Sequence, residues 1–330
     1  MRLRDLGEWE LLRRLAAYAP PGQFDDDAAL LNERSDRQLV VNTDVLVEGV
    51  HFSDATIEAQ DLGWRAAAAN LSDLAAMGCT SVVGLTVALV APSDTTWSWV
   101  QGVYDGLSEA LRAHGGTLLG GDCSSGSQRL LSITALGRLN VGAAIRRSDG
   151  QPGDWLVSTG PHGLSRLGLA LLLEELEAGV ASGLSQELRA RAIQAHRRPR
   201  PRLDAVAALH RSQPAGLPWR VGGTDSSDGL AAAAGAIAAA SGCGAQLDQP
   251  GLPIHPELAQ LQQGESWCLG GGEDFELVLA LEPAWGEALL GALPGASRIG
   301  ALVAAEPGHV CWRESGAGLG SDGSGFTHFR

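Results

Sequence analysis

Strand-like and helical runs alternate through the first half of the chain, and this alternation restricts the fold more than any other feature. Apolar β-rich runs at 38–42, 81–90, 117–119 and 130–136 are separated by two long helical patterns, 58–77 and 94–114. Asp94 is a good N-cap for the second pattern, while Gly78 and the pair Gly115 and Gly116 mark the two helix ends. A shorter helix is expected at 7–17, closed by "APPG". A turn-rich linker, "SDGQPGD" at 148–154, interrupts the pattern, which then restarts. The second part is expected to hold a strand at 155–158 and helices at 164–177, 186–196, 204–210 and 229–241. Further strands are expected at 275–281 and 297–303. Such a sequence belongs to a layered α/β or α+β protein. A chain of 330 residues can bury two cores, so we expect domains at 1–150 and 151–330, meeting near Gln151. The glycine-rich tail "SGAGLGSDGSG" is expected to be mobile as far as Phe326.

Several function classes are excluded or disfavoured. All 24 basic residues are arginine, so the lysine of a P-loop or of a protein kinase is missing. A net charge of -14 disfavours nonspecific binding to nucleic acid or anionic membrane. The one basic run, "HRRPRPR" at 196–202, is most simply a solvated proline-rich connection. No apolar run reaches membrane-spanning length, and "MRLRDLGEWELL" has no signal-peptide core. Five cysteines, odd in number and without C-x-x-C spacing, argue against a disulfide framework or zinc site and fit a reducing cytoplasm.

Five stretches share one design, an aspartate closing an apolar segment beside glycine or a small hydroxyl residue. They are "FDDDAALL" (24–31), "NTD" (42–44), "NLSDLAAMG" (70–78), "LLGGDCSSG" (118–126) and "GGTDSSDGL" (222–230). Leu62, Ala66, Ala69, Asp73 and Met77 recur at helical spacing, so Asp73 projects from an apolar face with no arginine one turn away. A carboxylate there needs a cation or several donors. Singly, each acid has an ordinary alternative: a surface turn, a hairpin loop, a loop cap for Asp73, or a helix N-cap for Asp228. Five together suggest a site where several Mg²⁺ ions supply the positive charge, with glycine amides close to phosphate oxygens. Asp44 is then more plausibly a metal ligand than a fold device. Arg146 and Arg147 offer a phosphate fork, or a solvated turn.

Ordered along the chain, "DDAALL", "NTDVLVEGVHF", "NLSDLAAMG", "GGD", "RRSDGQPGD", "HRRPRPR", "DSSDGL", "GGEDFEL" and "GFTHF" resemble the thiamine-monophosphate kinase family. That family belongs to the superfamily that also holds aminoimidazole ribonucleotide synthetase and selenophosphate synthetase. The resemblance implies ATP-dependent phosphorylation of thiamine monophosphate to thiamine diphosphate, in a cytoplasmic homodimer without nucleic-acid or membrane partners. It also implies an N-terminal ATP/Mg-binding α/β domain, whose strands build the dimer's barrel, and a C-terminal α+β domain. By motif position Asp27, Asn42, Thr43, Asp44, Asp73, Asp122, Asp225 and Asp228 are expected around Mg²⁺. Tyr104, Gly121, Asp122, Arg147 and Ser227 are expected at ATP, and His51, Glu273 and Phe326 at the thiamine moiety. Departures from the family pattern fall at Asp25, where glycine is usual, at Cys123, where threonine is usual, and at Phe326, often tyrosine or tryptophan.

The expected chemistry needs no general base, because a phosphate monoester with a second pKa of about 6 is already anionic at neutral pH. Repulsion between two polyanions is the obstacle, and metal ions with in-line positioning address it. Asp44, Asp122 and Asp225 are the most critical acids in this scheme, and His51 reads as a substrate contact or as a satisfied histidine after a strand. A superfamily phosphotransferase on another small molecule, or a silent nucleotide- or metal-binding module, would carry the same acids.

Overall fold

A computed structural model describes residues 26–27, 29–32 and 36–319. The helix expected at 7–17, Asp25, and Phe326 with the end of the glycine-rich tail lie outside the described residues.

The first sheet holds β1 (Ala29–Asn32), β2 (Arg37–Val47), β3 (Ser81–Ala91), β4 (Thr117–Ser125) and β5 (Leu130–Asn140). Its order is β1-β2-β5-β3-β4, antiparallel except for the parallel pair β3 and β4. Helices α1 (Ala59–Ala76) and α2 (Trp97–His114) cover one face. Alternation decides which side chains meet them: on β5 Leu131, Ile133, Ala135 and Leu139 are buried and their neighbours less so. With Leu62, Leu71 and Leu74 of α1 and Leu107 of α2 they form one core, each leucine or isoleucine contributing about 1.5–3 kcal/mol. The two helices cross closely at Gly63 and Gly106. A Cβ on either would stand 1.9 Å from the Val103 carbonyl oxygen or 1.8 Å from that of Gln60. The opposite face is uncovered among the described residues. Thr43 and Val45 of β2 and Ala88 of β3 are exposed, as is every residue of β4, including Leu118 and Leu119.

The second sheet holds β6 (Trp155–Ser158), β7 (Gly222–Asp225), β8 (Gly244–Leu247), β9 (Leu277–Leu281), β10 (Ser297–Val303) and β11 (Val310–Trp312), in the order β11-β8-β10-β6-β9-β7. Helices α3 (Leu164–Leu172), α4 (Ala178–Gly183) and α5 (Gln186–Arg197) precede α6 (Leu203–Ser212). Then come α7 (Leu230–Ala240), α8 (Gly264–Gly270) and α9 (Pro283–Ala292). One core joins this sheet to α6 and α9 through Leu209, Trp285 and Leu289, and a second joins it to α7 through Leu230 and Ile237. Ala75 and Ala76 at the end of α1 enter the α6–α9 core, so α1 serves both sheets.

Several expectations are corrected. β2 continues to Val47 because its ladder with β5 runs unbroken, so Asp44 lies within the strand opposite Ile133. β4 likewise continues to Ser125 along β3, placing Asp122 within a strand. The helix expected from 94 begins at Trp97, with Thr96 as the N-cap accepting from the Trp99 amide at 3.3 Å. The helix expected over 164–177 stops at Leu172, and Glu174 turns into the left-handed region at φ 54°. Asp228 is not an N-cap; Gly229, at φ 99°, holds that position before α7.

The basic run is not a solvated connection. Arg197 donates to the Thr56 carbonyl at 2.9 Å, and Arg198 stacks 4.4 Å over Trp64 while pairing with Glu109 and Asp61. Trp64 Nε1 donates to the Pro199 carbonyl at 2.8 Å, and the buried Arg202 pairs with Glu276 and Asp204. Only Arg200 of the four stays well exposed. Acids on α1, α2 and α6 and just before β9 turn a basic segment into a clamp between the two layers.

Candidate active site

Asn42 and Asp44 share the face of β2 that carries buried Val40 and Leu46, so the pleat turns both toward α1. There Asn42 Nδ2 donates to Asp73 Oδ2 at 2.6 Å and to Asn70 Oδ1 at 3.3 Å. Asn70 Oδ1 also accepts from the Asp44 amide at 3.2 Å, and Asn70 Nδ2 returns to the Ala66 carbonyl. Asp225, at the end of edge strand β7, accepts from Ser72 Oγ at 2.6 Å. Asp27 accepts from Thr224 Oγ1 at 2.8 Å and pairs with Arg147 Nη2, while the Arg147 amide donates to Asp26 at 2.8 Å. Asp27, Asp73 and Asp225 each offer one oxygen atom, and all three atoms lie within 4.8 Å of one another.

Like charges this close in a buried place disfavour ionisation. Burial, then Asp44, Asp225 and Asp27, push Asp73 well up, against the pull of the Asn42 hydrogen bond. Asp225 is raised to about 7 by burial and Asp27, and Asp44 is raised by burial and Asp27. Asp26 is raised too, chiefly by burial. For Arg147 burial opposes the charge, yet Asp27 together with Asp225 and Asp26 outweighs it and the guanidinium is held more firmly protonated. All three acids act on this one guanidinium.

The donor set fits divalent metal. Three carboxylate oxygens converge, and Asn42 Oδ1 is buried with no hydrogen-bond partner, an orphaned hard oxygen beside them.

The structure separates the remaining expected residues. Thr43 points its side chain to the far face of β2, where Oγ1 lies 2.8 Å from Thr134 Oγ1, away from the acid cluster. Gly121 and Asp122 sit on exposed β4, three strands from β2, about 14 Å away at the usual spacing. Tyr104 of α2 is on that side also, its phenol hydrogen-bonded with Cys123 and its pKa raised chiefly by burial. Asp44, Ser227 and Asp228 line a cavity of about 1260 Å³ together with His51, Phe52, Trp267, Glu273 and Phe275. His51 Nδ1 accepts from the Val47 amide at 3.1 Å, which in the neutral ring assigns the proton to Nε2. Sequence reasoning did not single out Asn70, Ser72 and Thr224, which hold the acids, nor Arg65, which lines the cavity. Asn70 and Ser72 stand beside Asp73 in "NLSD", the one local signal available.

A family model described as AIR synthase related protein, N-terminal domain, matches residues 25–139, and the corresponding C-terminal domain model matches 151–312. A two-sheet fold with an acid cluster where the sheets meet is thus of known class: the chain belongs to the AIR synthase related family. The thiamine-monophosphate kinase of Prochlorococcus marinus is 46% identical over 99% of this chain and 97% of its own length. That of Synechococcus elongatus is 51% identical over 87% of this chain and 86% of its own. The solved structure of AaThiL complexed with AMPPCP and TMP superposes with a TM-score of 0.83 at 27% identity, covering 99% of both chains. Within its class, the chain is a member of the thiamine-monophosphate kinase family.

Proposed function

We propose that this chain is an ATP-dependent kinase that converts thiamine monophosphate to thiamine diphosphate by direct in-line phosphoryl transfer. The observation that carries the reading is the position of the acids. Asp27, Asp73 and Asp225 converge beside Asp44, and Asp44 opens on the same cavity as His51 and Glu273. Full-length similarity to a relative solved with an ATP analogue and TMP supports the two substrates.

Asp27, Asp44, Asp73 and Asp225 would hold Mg²⁺, with Asn42 Oδ1 and Asp228 beside them. Bound there, Mg²⁺ supplies the positive charge that offsets repulsion between the acceptor phosphate and the γ-phosphate. The chain's own groups bind and orient. Arg147, already ordered against Asp27 and Thr224, can direct its remaining donors at a phosphate of ATP, and Ser227 lies on the cavity wall. His51 presents Nε2–H as a donor to the acceptor, and Glu273 presents a carboxylate edge. No histidine takes a proton, since the acceptor phosphate is already ionised.

The reading includes a homodimer and divides the chain at 150/151 into an N-terminal ATP, Mg²⁺ and dimerisation domain and a C-terminal α+β domain. The uncovered face of the first sheet and its exposed apolar edge, Leu118 and Leu119, support the dimer. Gly121 and Asp122 stand about 14 Å from Asp44 within one chain, and a homodimer would let a partner's β4 approach the acids instead. Five free cysteines suit a reducing compartment, and we assign the activity to the cytoplasm. Among the described residues no helix is long and apolar enough to cross a membrane.

A panel of phosphate monoesters offered with ATP tests the substrate. ADP release should be fastest with thiamine monophosphate, and equal or faster release with an unrelated monoester would overturn the assignment.

A further inference from the structure

Arg65 lies two turns before Asp73 on α1, and its side chain is only 3% exposed. A guanidinium so deeply placed needs partners. Nη2 forms an ion pair with Glu273 Oε1. Nη1 donates to the main-chain carbonyl of His196, whose ring Nδ1 is 3.4 Å away. The first partner comes from the loop between α8 and β9, the second from α5, so one side chain ties three elements together.

Glu273 is held at both ends. Its backbone sits in the left-handed region at φ 58°, and its amide donates to the Ser227 carbonyl at 2.7 Å. Its side chain ends at Arg65 yet stays 37% exposed, on the wall of the cavity that Asp44 and His51 also line. Burial pushes the Glu273 carboxyl up, but the Arg65 cation and its hydrogen bond, with His196 and His51 behind them, keep it below its ordinary range. A glutamate without such a partner would sample several rotamers and lose that freedom on binding.

We propose that Arg65 is a positioning residue of the acceptor subsite: it fixes Glu273 as an oriented hydrogen-bond acceptor for an N–H donor of the substrate. The exocyclic amine of the thiamine pyrimidine is a donor of this kind. The inference rests on the kinase reading above and adds the means by which the subsite is preorganised. Arginine suits the task because one planar fork serves the carboxylate and the His196 carbonyl together, which a compact ammonium cannot do as well.

The test is a kinetic comparison of wild type, Arg65→Gln, Arg65→Lys, Glu273→Gln and the double variant Arg65→Gln/Glu273→Gln. Arg65→Gln should raise KM for thiamine monophosphate about ten-fold and leave KM for ATP within about two-fold, and Arg65→Lys should recover part of the loss. In the double variant, KM for thiamine monophosphate should match that of Glu273→Gln, since Arg65 acts through Glu273. The double variant leaves no buried carboxylate unpaired and so serves even where Arg65→Gln fails to fold. A further rise of about five-fold or more in the double variant, or a parallel rise of both KM values in Arg65→Gln, overturns the inference. Wild type that makes no thiamine diphosphate would instead overturn the kinase reading itself.

Discussion

His162 is fully buried and Asp73 half-buried, in opposite electrostatic situations. His162 has no exposed surface, its Nε2 has no hydrogen-bond partner, and burial pushes its pKa down to about 4. The folded state therefore binds fewer protons than the unfolded chain between pH 6.5 and 4, so stability falls as the pH drops through that window. His162→Leu should remove up to about 3 kcal/mol of that acid sensitivity, seen in urea midpoints at pH 7 and pH 4.5. A variant with undiminished loss on acidification would place the sensitivity elsewhere. Asp73 is raised well above the usual carboxylate range by burial and by Asp44, Asp225 and Asp27. Removing divalent ions leaves those charges crowded, so EDTA should lower the melting temperature of wild type more than that of Asp73→Asn. Equal sensitivity would reduce Asp73 to its hydrogen bond with Asn42. Asp73 was readable as a site residue because helical spacing puts it on an apolar face. Arg65 was not, because its partners Glu273 and His196 are remote in sequence and no local pattern pairs them.

Between elements, the closest approach is the crossing of α1 and α2. Gly63→Ala would drive a methyl into the Val103 carbonyl, a backbone atom that cannot step aside, and should cost about 2 kcal/mol or more in thermal or chemical unfolding. Gly291→Ala, on α9 with nothing within 4 Å of the added Cβ, should be neutral or gain about 0.5–1 kcal/mol. Comparable effects of the two would mean the crossing is looser than it stands here. The long amphipathic helices and apolar strands were legible, since periodicity carries them. β7, with the residues "GGTD", has little strand propensity and exists because it pairs with β9. The second half of β4 reads locally as a turn, "GGDCSS", yet continues along β3 because Gly121 admits the Val87 carbonyl where a Cβ would stand 1.9 Å away. The tight packing of "HRRPRPR" was illegible for a similar reason: Glu109, Asp61 and Glu276 decide it, and none is a sequence neighbour.

At the scale of the whole molecule, strand order sets Asp122 three strands from Asp44, although both stand in similar local sequence. Asp44→Asn and Asp122→Asn should each lose most activity while remaining folded. If two copies share each site, mixed dimers of the two inactive variants should contain one intact site. Coexpression should then restore roughly a quarter of wild-type activity. No recovery, with mixed dimers verified, would mean that both acids serve the same subunit. One product decides whether the protein is this kinase. Purified protein incubated with thiamine monophosphate, ATP and Mg²⁺ should form thiamine diphosphate and ADP in equal amounts, with inorganic phosphate at background. ADP accompanied by inorganic phosphate and unchanged thiamine monophosphate, or no ADP at all, would contradict it.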